Sequence, residues 1–135
     1  MPPSVRFVLD ACALLRLLQD EPGADRVEAI LEEARRGTSQ VLLHLVNLGE
    51  VVYTIAKRHG WEVGERKREE IKLLPIAILP FEEELFWKAV ELKSRYAMSY
   101  ADCFAAAAAI EQQATLLTSD PEFKVVSHLV RREHV

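Results

Sequence analysis

The chain has 135 residues, half of them hydrophobic, and carries a formal net charge of −4 with acidic and basic side chains mixed. This length predicts a single domain over residues 1–135, and the acidic balance argues against a general polyanion-binding surface. Two cysteines are too few for a disulfide framework, and neither a signal peptide nor an apolar run of ~18 residues is present, so we expect a cytoplasmic protein.

Predicted strands and helices alternate along the whole chain. Residues 5–9 are rich in β-branched residues between prolines and an aspartate, which favours a first strand, and later segments show helical spacing of apolar residues. The predicted strands are residues 5–9, 40–44, 76–79, 115–118 and, at the sheet edge, 129–132. The predicted helices are residues 11–19, 24–36, 45–58, 61–74, 81–96 and an apolar helix around residues 101–110, with a short helical turn after Asp120.

This alternation is typical of an α/β protein with a short central parallel sheet of four or five strands, flanked by helices on both faces. In such a sheet, the C-terminal ends of the strands and the N-terminal ends of the following helices share one edge. That edge is where ligands bind in open α/β sheets.

Four acidic residues are predicted to converge on that edge. Asp10 follows the first strand and Asp120 follows the fourth strand. Glu50 lies in the second turn of the helix after strand two, and Asp102 begins the apolar helix that leads to strand four. The apolar helix and the fourth strand are expected to run in opposite directions and to have similar lengths, since ~12 helical residues cover ~18 Å and five strand residues cover ~17 Å. Asp102 and Asp120 are therefore expected at the same edge.

Clustered carboxylates repel one another and raise their own pKa values, and a hard divalent cation relieves that conflict. Mg²⁺ and Mn²⁺ prefer oxygen ligands, and such ions polarise a phosphate and activate a water for in-line attack. The constellation therefore predicts a metal-dependent phosphodiester hydrolase.

Each acid also has an ordinary structural explanation. Asp10 could only cap the following helix, Asp102 could only complement a helix dipole, and Asp120 could only form a turn. Glu50 falls opposite the predicted apolar stripe of its helix, so a solvated glutamate is the simplest expectation there. Their joint placement favours a site. The predicted apolar stripe consists of Leu45, Leu48, Val52 and Ile55.

Other chemically active side chains give weaker signals. Cys12 and Cys103 lack the spacing of a zinc site, and we expect them to be small buried hydrophobes. The histidines show no ligand spacing, which predicts surface or loop positions, and four aromatic residues are expected in the core or at a partner surface. Four basic residues are candidates for phosphate contact. The histidines are His44, His59, His128 and His134, the aromatics are Phe81, Phe86, Trp87 and Tyr96, and the basic residues are Arg16, Lys124, Arg131 and Arg132.

Four short motifs surround the four acidic residues. They are Val8-Leu9-Asp10-Ala11, Asn47-Leu48-Gly49-Glu50-Val51-Val52-Tyr53, Ser99-Tyr100-Ala101-Asp102-Cys103 and Leu117-Thr118-Ser119-Asp120-Pro121-Glu122-Phe123. In this order they resemble the PIN-domain nucleases, in particular the VapC-type toxins of prokaryotic toxin–antitoxin pairs, and the likeness covers nearly the whole chain.

The resemblance implies a PIN-like fold and an endoribonuclease dependent on Mg²⁺ or Mn²⁺, homodimeric, and held inactive by a cognate VapB-like antitoxin. It also implies that Asp10, Glu50, Asp102 and Asp120 form the acidic site, with Thr118 or Ser119 orienting a water on the cation. Family members often have a hydroxyl residue just after the first aspartate, whereas this chain has Ala11 and Cys12.

Two other classes also place acids at strand ends. An aspartyl-phosphate phosphohydrolase would need Asp-x-Asp after strand one, where this chain has Asp10-Ala11-Cys12, and a receiver-type domain would need an aspartate where Pro80 follows strand three. A non-catalytic module could instead use the acidic edge to bind a basic peptide.

Overall fold

A computed structural model describes residues 5–135, and five parallel strands form its sheet. The strand order is β3-β2-β1-β4-β5, so the first strand lies at the centre. This confirms the predicted α/β fold with a short parallel sheet. The strands are β1 (Val5–Leu9), β2 (Ser39–His44), β3 (Ala77–Leu79), β4 (Thr115–Thr118) and β5 (Arg132–His134).

Six α-helices and one short 3-10 helix connect the strands within the described range. The α-helices are α1 (Ala11–Leu18), α2 (Ala24–Arg35), α3 (Leu45–His59), α4 (Trp61–Lys72), α5 (Glu83–Arg95) and α6 (Tyr100–Gln112), and the 3-10 helix is Pro121–Val126. Most of these bounds differ from the predicted ones by one or two residues. None of the helices in residues 5–135 combines the length and apolarity needed to cross a bilayer.

Alternating side chains of the strands feed two cores, one on each face of the sheet. Val8 and Leu116 face α5, α6 and the 3-10 helix, whereas Leu9 and Leu117 face α1 to α4. A strand that is buried on both faces has a nearly continuous run of apolar residues, so apolar and polar residues do not alternate in the sequences of β1 and β4. The sheet is thus covered by helices on both faces, as predicted.

Helix α6 is buried on nearly every side. All residues from 102 to 109 are buried, and five of them are alanines in succession. Side chains this small let α6 approach β1, β2, α3 and α5 closely. The tight packing brings the first turn of α6, with Asp102, to the C-terminal edge of the sheet.

Two sequence predictions about this architecture were wrong. The last strand comprises Arg132–His134 rather than residues 129–132, because Leu129 and Val130 both donate backbone hydrogen bonds to the Val126 carbonyl and close a turn. Leu45, placed in the apolar stripe of α3, is 45% exposed because it is the first residue of that helix. The prolines expected to bound β1 lie outside the described residues.

Val135, directly after β5, packs tightly against the start of α2. Gly23 precedes α2 with a φ of 102°, in the left-handed region, and a Cβ atom there would lie 2.4 Å from the carbonyl carbon of Val135. The Val135 amide in turn donates a hydrogen bond to the Thr118 carbonyl. Only glycine fits this contact, which holds β5 and the following residue beside β4.

Candidate functional site

The C-terminal ends of β1 and β4 lie side by side at the centre of the sheet. Leu9 pairs with Leu117, and the Asp10 amide continues the ladder by donating to the Leu117 carbonyl at 3.3 Å. Asp10 and Asp120 leave these two neighbouring strands at the same edge. Short turns after the strands therefore bring residues 110 positions apart in the sequence into one small region.

Asp10 is a buried carboxylate held on both oxygens. Its Oδ1 accepts a hydrogen bond from the Ala13 amide at 2.8 Å, capping α1, and its Oδ2 accepts from the Thr118 hydroxyl. Burial raises the pKa of Asp10 to about 6, the two hydrogen bonds oppose that rise, and the charges of Asp120 and Glu50 add to it. Asp10 therefore caps α1 and is also close enough to Asp120 and Glu50 for their charges to affect it.

Asp102 lies in the first turn of α6 and is 7% exposed. Burial and a proton shared with the Glu122 carboxylate raise its pKa to about 8, with further contributions from Asp120 and Asp10. The Ser99 side chain opposes this rise, and its hydroxyl also accepts a hydrogen bond from the Asp102 amide at 3.2 Å. Without a counter-charge, Asp102 is protonated near neutral pH.

Asp120 links β4 to the 3-10 helix. Its amide donates to the Thr118 hydroxyl at 2.9 Å, and its Oδ1 accepts from the Glu122 amide at 2.9 Å, which caps that helix. Oxygens of Asp102, Asp120 and Glu122 lie within 4.8 Å of one another, a spacing suited to one cation. Of residues 5–135, these three alone form such a close acidic group.

Glu122 was missed as a candidate residue by the sequence reasoning. It stands in the quoted motif Asp120-Pro121-Glu122, two residues after a proposed ligand, and that spacing was the available signal. Its approach to Asp102 depends on the 3-10 turn, which the sequence does not specify in detail.

Glu50 faces the site from α3 and is only partly exposed. Burial raises its pKa, the neighbouring Asn47 side chain lowers it, and the charge of Asp120 raises it further. Its Oε1 atom is buried without a hydrogen-bond partner among the described residues. The expectation of a simply solvated glutamate does not describe this environment. Glu50 and Asp10 lie in the same electrostatic field as the close acidic group but outside it.

Asn47 is a second residue that sequence reasoning did not single out. It is fully buried, and its Nδ2 donates to the Ala101 carbonyl at 3.0 Å, which fastens α3 to the start of α6. Its Oδ1 is buried without a partner in the part of the chain described. The contact fixes the position of Asp102 relative to Glu50.

Cys12 was predicted to be buried, but solvent reaches it because it points outward from the first turn of α1. Partial desolvation and then the charges of four carboxylates raise the pKa of its thiol to about 11. Those four are Asp10, Asp120, Asp102 and Glu50. A protonated thiol is a poor metal ligand. Cys103 is buried, as predicted.

His44 was predicted at the surface and is instead fully buried. Its Nδ1 accepts a hydrogen bond from the Val46 amide at 3.0 Å and caps α3, and its ring lies 5.0 Å from that of Phe104. Burial lowers the pKa of His44. The side chain performs the capping role usually taken by Ser, Thr, Asp or Asn.

A cavity lined in part by Asp120 lies beside the acidic group. It measures about 380 Å³, and its lining includes three basic residues, Lys124, Arg132 and His134. Two other candidate basic residues lie elsewhere, since Arg16 pairs with Glu21 at 3.6 Å and Arg131 lines a different cavity beside Gln113. Asp120 therefore belongs both to the lining of this basic cavity and to the close acidic group.

Several solved structures have the same architecture. The chain is similar to VapBC2 from Rickettsia felis bound to a DNA fragment from its promoter (17% identity, TM-score 0.74, covering 97% of this chain and 99% of that one). It is also similar to DNA-bound VapBC from Salmonella typhimurium (18% identity, TM-score 0.74, covering 96% of this chain and 98% of that one). A third similar structure is Mycobacterium tuberculosis VapC20, a Sarcin-Ricin loop cleaving toxin (17% identity, TM-score 0.70, covering 89% of this chain and 94% of that one). At these identities the likeness establishes a shared fold.

The sequence itself gives the family. No curated protein sequence matches this chain. The model of the PIN domain family, however, matches residues 7–129, a range that contains both the sheet centre and all five acidic residues described above. The chain therefore belongs to the PIN domain family.

Proposed function

We propose that this protein is an endoribonuclease that depends on a divalent metal ion and acts as the toxin of a type II toxin–antitoxin pair. The observation that carries the proposal is the gathering of Asp10, Glu50, Asp102 and Asp120, with Glu122, at the C-terminal sheet edge of a PIN domain. Metal-dependent phosphodiester hydrolysis accounts for so many carboxylates in one place.

The donor set fits a hard cation. Every proposed ligand atom is a carboxylate oxygen, as Mg²⁺ and Mn²⁺ prefer. The buried Oε1 of Glu50 is an acceptor with no hydrogen-bond partner among residues 5–135. Burial is the main cause of the raised pKa values of Asp10 and Asp102, and the charges of the neighbouring carboxylates raise both values further.

Asp10, Glu50, Asp102 and Asp120 would hold one or two ions, and Glu122 would complete the set. When bound, Mg²⁺ or Mn²⁺ supplies charge that stabilises the transition state of phosphodiester hydrolysis and makes a water more acidic.

The chain's own residues preorganise this centre. Thr118 and the Ala13 amide fix both oxygens of Asp10, and the Glu122 amide fixes one oxygen of Asp120. Ser99 and Asn47 bind the backbone at the start of α6 and so hold the backbone of Asp102 at the edge. Such fixed orientations mean that little reorganisation is needed when substrate arrives.

The proposed partners are an RNA substrate, a cognate antitoxin and a second copy of the chain. Support for the antitoxin comes from the relatives in VapBC complexes, and support for RNA comes from the toxin that cleaves the Sarcin-Ricin loop. A ribonuclease of this kind would act in the cytoplasm, as the sequence analysis expected. Family membership leaves the phosphatase and receiver alternatives without support.

The test compares Asp10→Asn with the wild type in Mn²⁺-dependent cleavage of single-stranded RNA. Asparagine still caps α1, so the fold should survive while cleavage falls to background. Asp25→Asn is the matched control, because Asp25 is an exposed aspartate in the first turn of α2. Full activity of Asp10→Asn would reject the metal-dependent mechanism. A non-catalytic peptide-binding module would show no cleavage by the wild type and no cation binding by calorimetry.

A further inference from the structure

The basic cavity beside Asp120 is not used by the acidic centre. Its lining combines Thr118, Ser119, Asp120 and Pro121 with the cationic side chains of Lys124 and Arg132 and the imidazole of His134. The chain as a whole carries a net charge of −4, so this concentration of basic groups departs from the average surface.

The geometry of β5 explains why the basic groups lie on one side. Arg132 and His134 are two residues apart in a strand, so both side chains face the same side of the sheet. They pair with Leu116 and Thr118 of β4, whose side chains face the 3-10 helix that carries Lys124.

The acid between them points the other way. Glu133 binds Arg26 of α2 through two hydrogen bonds, at 2.6 and 3.1 Å. Glu133 is therefore engaged on the opposite face and does not neutralise its neighbours. Within residues 5–135, neither Lys124 nor Arg132 forms an ion pair.

The cavity lies directly beside the close acidic group. Asp120 is part of both, so the two sites are contiguous. A chain of phosphodiesters with one linkage at the acidic group would place the adjacent linkage at the cavity. Arginine and lysine are the side chains that bind phosphate oxygens most readily.

We propose that Lys124 and Arg132, with His134 beside them, form a subsite for the RNA phosphate next to the bond that is cleaved. The inference rests on the proposed ribonuclease function and deepens it by assigning the residues that set the position of the strand. The subsite holds the neighbouring phosphate, and it thereby fixes which linkage lies over the carboxylates.

The experiment measures cleavage of a fluorescent single-stranded RNA in Mn²⁺ by Lys124→Gln/Arg132→Gln. The matched control is Arg36→Gln/Lys88→Gln, which removes the same charge from exposed positions at the end of α2 and on α5. We expect KM to rise about tenfold in the subsite variant, as removal of charge-assisted hydrogen bonds implies, and to stay within about twofold in the control. Both variants should keep the wild-type melting temperature, since all four side chains reach solvent.

Salt dependence and an uncharged linkage give a second readout. In an Asp10→Asn background, the slope of log affinity against log salt should fall by about 0.7 for each phosphate that the variant no longer binds. Once the wild-type cleavage position is mapped, RNA with one methylphosphonate beside that position should show the same drop in affinity. Its effect and that of the subsite variant should not add, because both remove one interaction.

The outcomes separate the two proposals. If the wild type cleaves RNA but the subsite variant matches its control in KM and salt slope, the subsite is refuted while the ribonuclease stands. If the variant loses binding of an acidic antitoxin peptide and keeps its RNA affinity, the cavity is a protein-binding site and the inference is overturned. If the wild type neither cleaves RNA nor binds Mn²⁺, the ribonuclease fails and the subsite falls with it.

Discussion

The Thr118 hydroxyl, at the end of β4, donates a hydrogen bond to Oδ2 of Asp10, at the end of β1. The same hydroxyl oxygen accepts a hydrogen bond from the Asp120 amide. One side chain therefore orients the Asp10 carboxylate and also holds the backbone of Asp120. It also lowers the pKa of Asp10 against the effect of burial.

Replacing Thr118 with valine should raise the pKa of Asp10 above its value of about 6, because the opposing hydrogen bond is removed. A hydrogen bond to a charged group contributes roughly 1.5–3 kcal/mol, so the pKa of Asp10 in the metal-free protein should rise by about one to two units. Titration of the Asp10 carboxyl carbon by NMR in the presence of chelator measures this. Thr118→Ser keeps the hydroxyl and should restore the wild-type pKa, and an unchanged pKa in Thr118→Val would contradict the assigned role.

Glu122 is predicted to contribute to metal affinity although it is exposed. Glu122→Gln removes one charge from the close acidic group, and calorimetry should find Mn²⁺ binding weakened about ten- to hundredfold, in the range seen for supporting groups at metal sites. Glu111→Gln, an exposed glutamate at the end of α6, is the control and should bind as the wild type does. Equal affinities in both variants would remove Glu122 from the site.

Asp102→Asn should stabilise the metal-free protein at alkaline pH. The pKa of Asp102 is about 8 when folded and 3.8 in its ordinary state, so the folded protein keeps a proton that the unfolded chain has released. Stability of the wild type therefore falls as pH rises from about 4 to about 8. The asparagine variant lacks this fall and should gain at least about 2 kcal/mol at pH 8, or roughly 5 °C in melting temperature.

Added Mn²⁺ should make the wild type more stable than Asp102→Asn. The cation compensates the carboxylate charges of the wild type and should raise its melting temperature, whereas the variant should respond weakly because a ligand is missing. Thermal melts in chelator and in Mn²⁺, at pH 5 and pH 8, test both halves of the prediction. A wild type that is more stable than Asp102→Asn in chelator at pH 8 would show that Asp102 has a favourable partner already.

Gly23→Ala should destabilise the fold more than Gly37→Ala does. Both glycines have positive φ, 102° and 81°, so both alanines carry a similar backbone strain. Only at position 23 would the new Cβ overlap the Val135 backbone, at 2.4 Å, while nothing lies within 4 Å of position 37. The difference in the free energy of unfolding, measured in urea, should be about 1–3 kcal/mol. Equal destabilisation by the two substitutions would mean that the Val135 backbone yields easily.

Much of the fold was predictable because local signals agreed with one another. The run Val5–Leu9 and the run Thr115–Thr118 are both apolar, short and bounded by turn residues, and both strands have the predicted limits. Alternation of strands with helices then leaves a parallel sheet as the simple topology. The predicted convergence of the acids at its edge used only the order of the elements and the short turns between them.

The failures fall where tertiary contacts decide the outcome. Strand β5 is three residues long, and its limits depend on pairing with β4 rather than on its own sequence. His44 is buried because it caps α3 against Phe104, a role that its residue type does not announce. Glu122 joins Asp102 through a 3-10 turn whose side-chain directions no sequence pattern encodes.

The central position of β1 in the strand order has a consequence for synthesis. Asp10 emerges from the ribosome with β1, but the neighbour that completes its surroundings is β4, more than a hundred residues later. A nascent polypeptide that has reached only α6 lacks the Thr118 hydroxyl and the carboxylates of Asp120 and Glu122. The proposed nuclease centre is therefore incomplete during synthesis until β4 and the turn after it have been made.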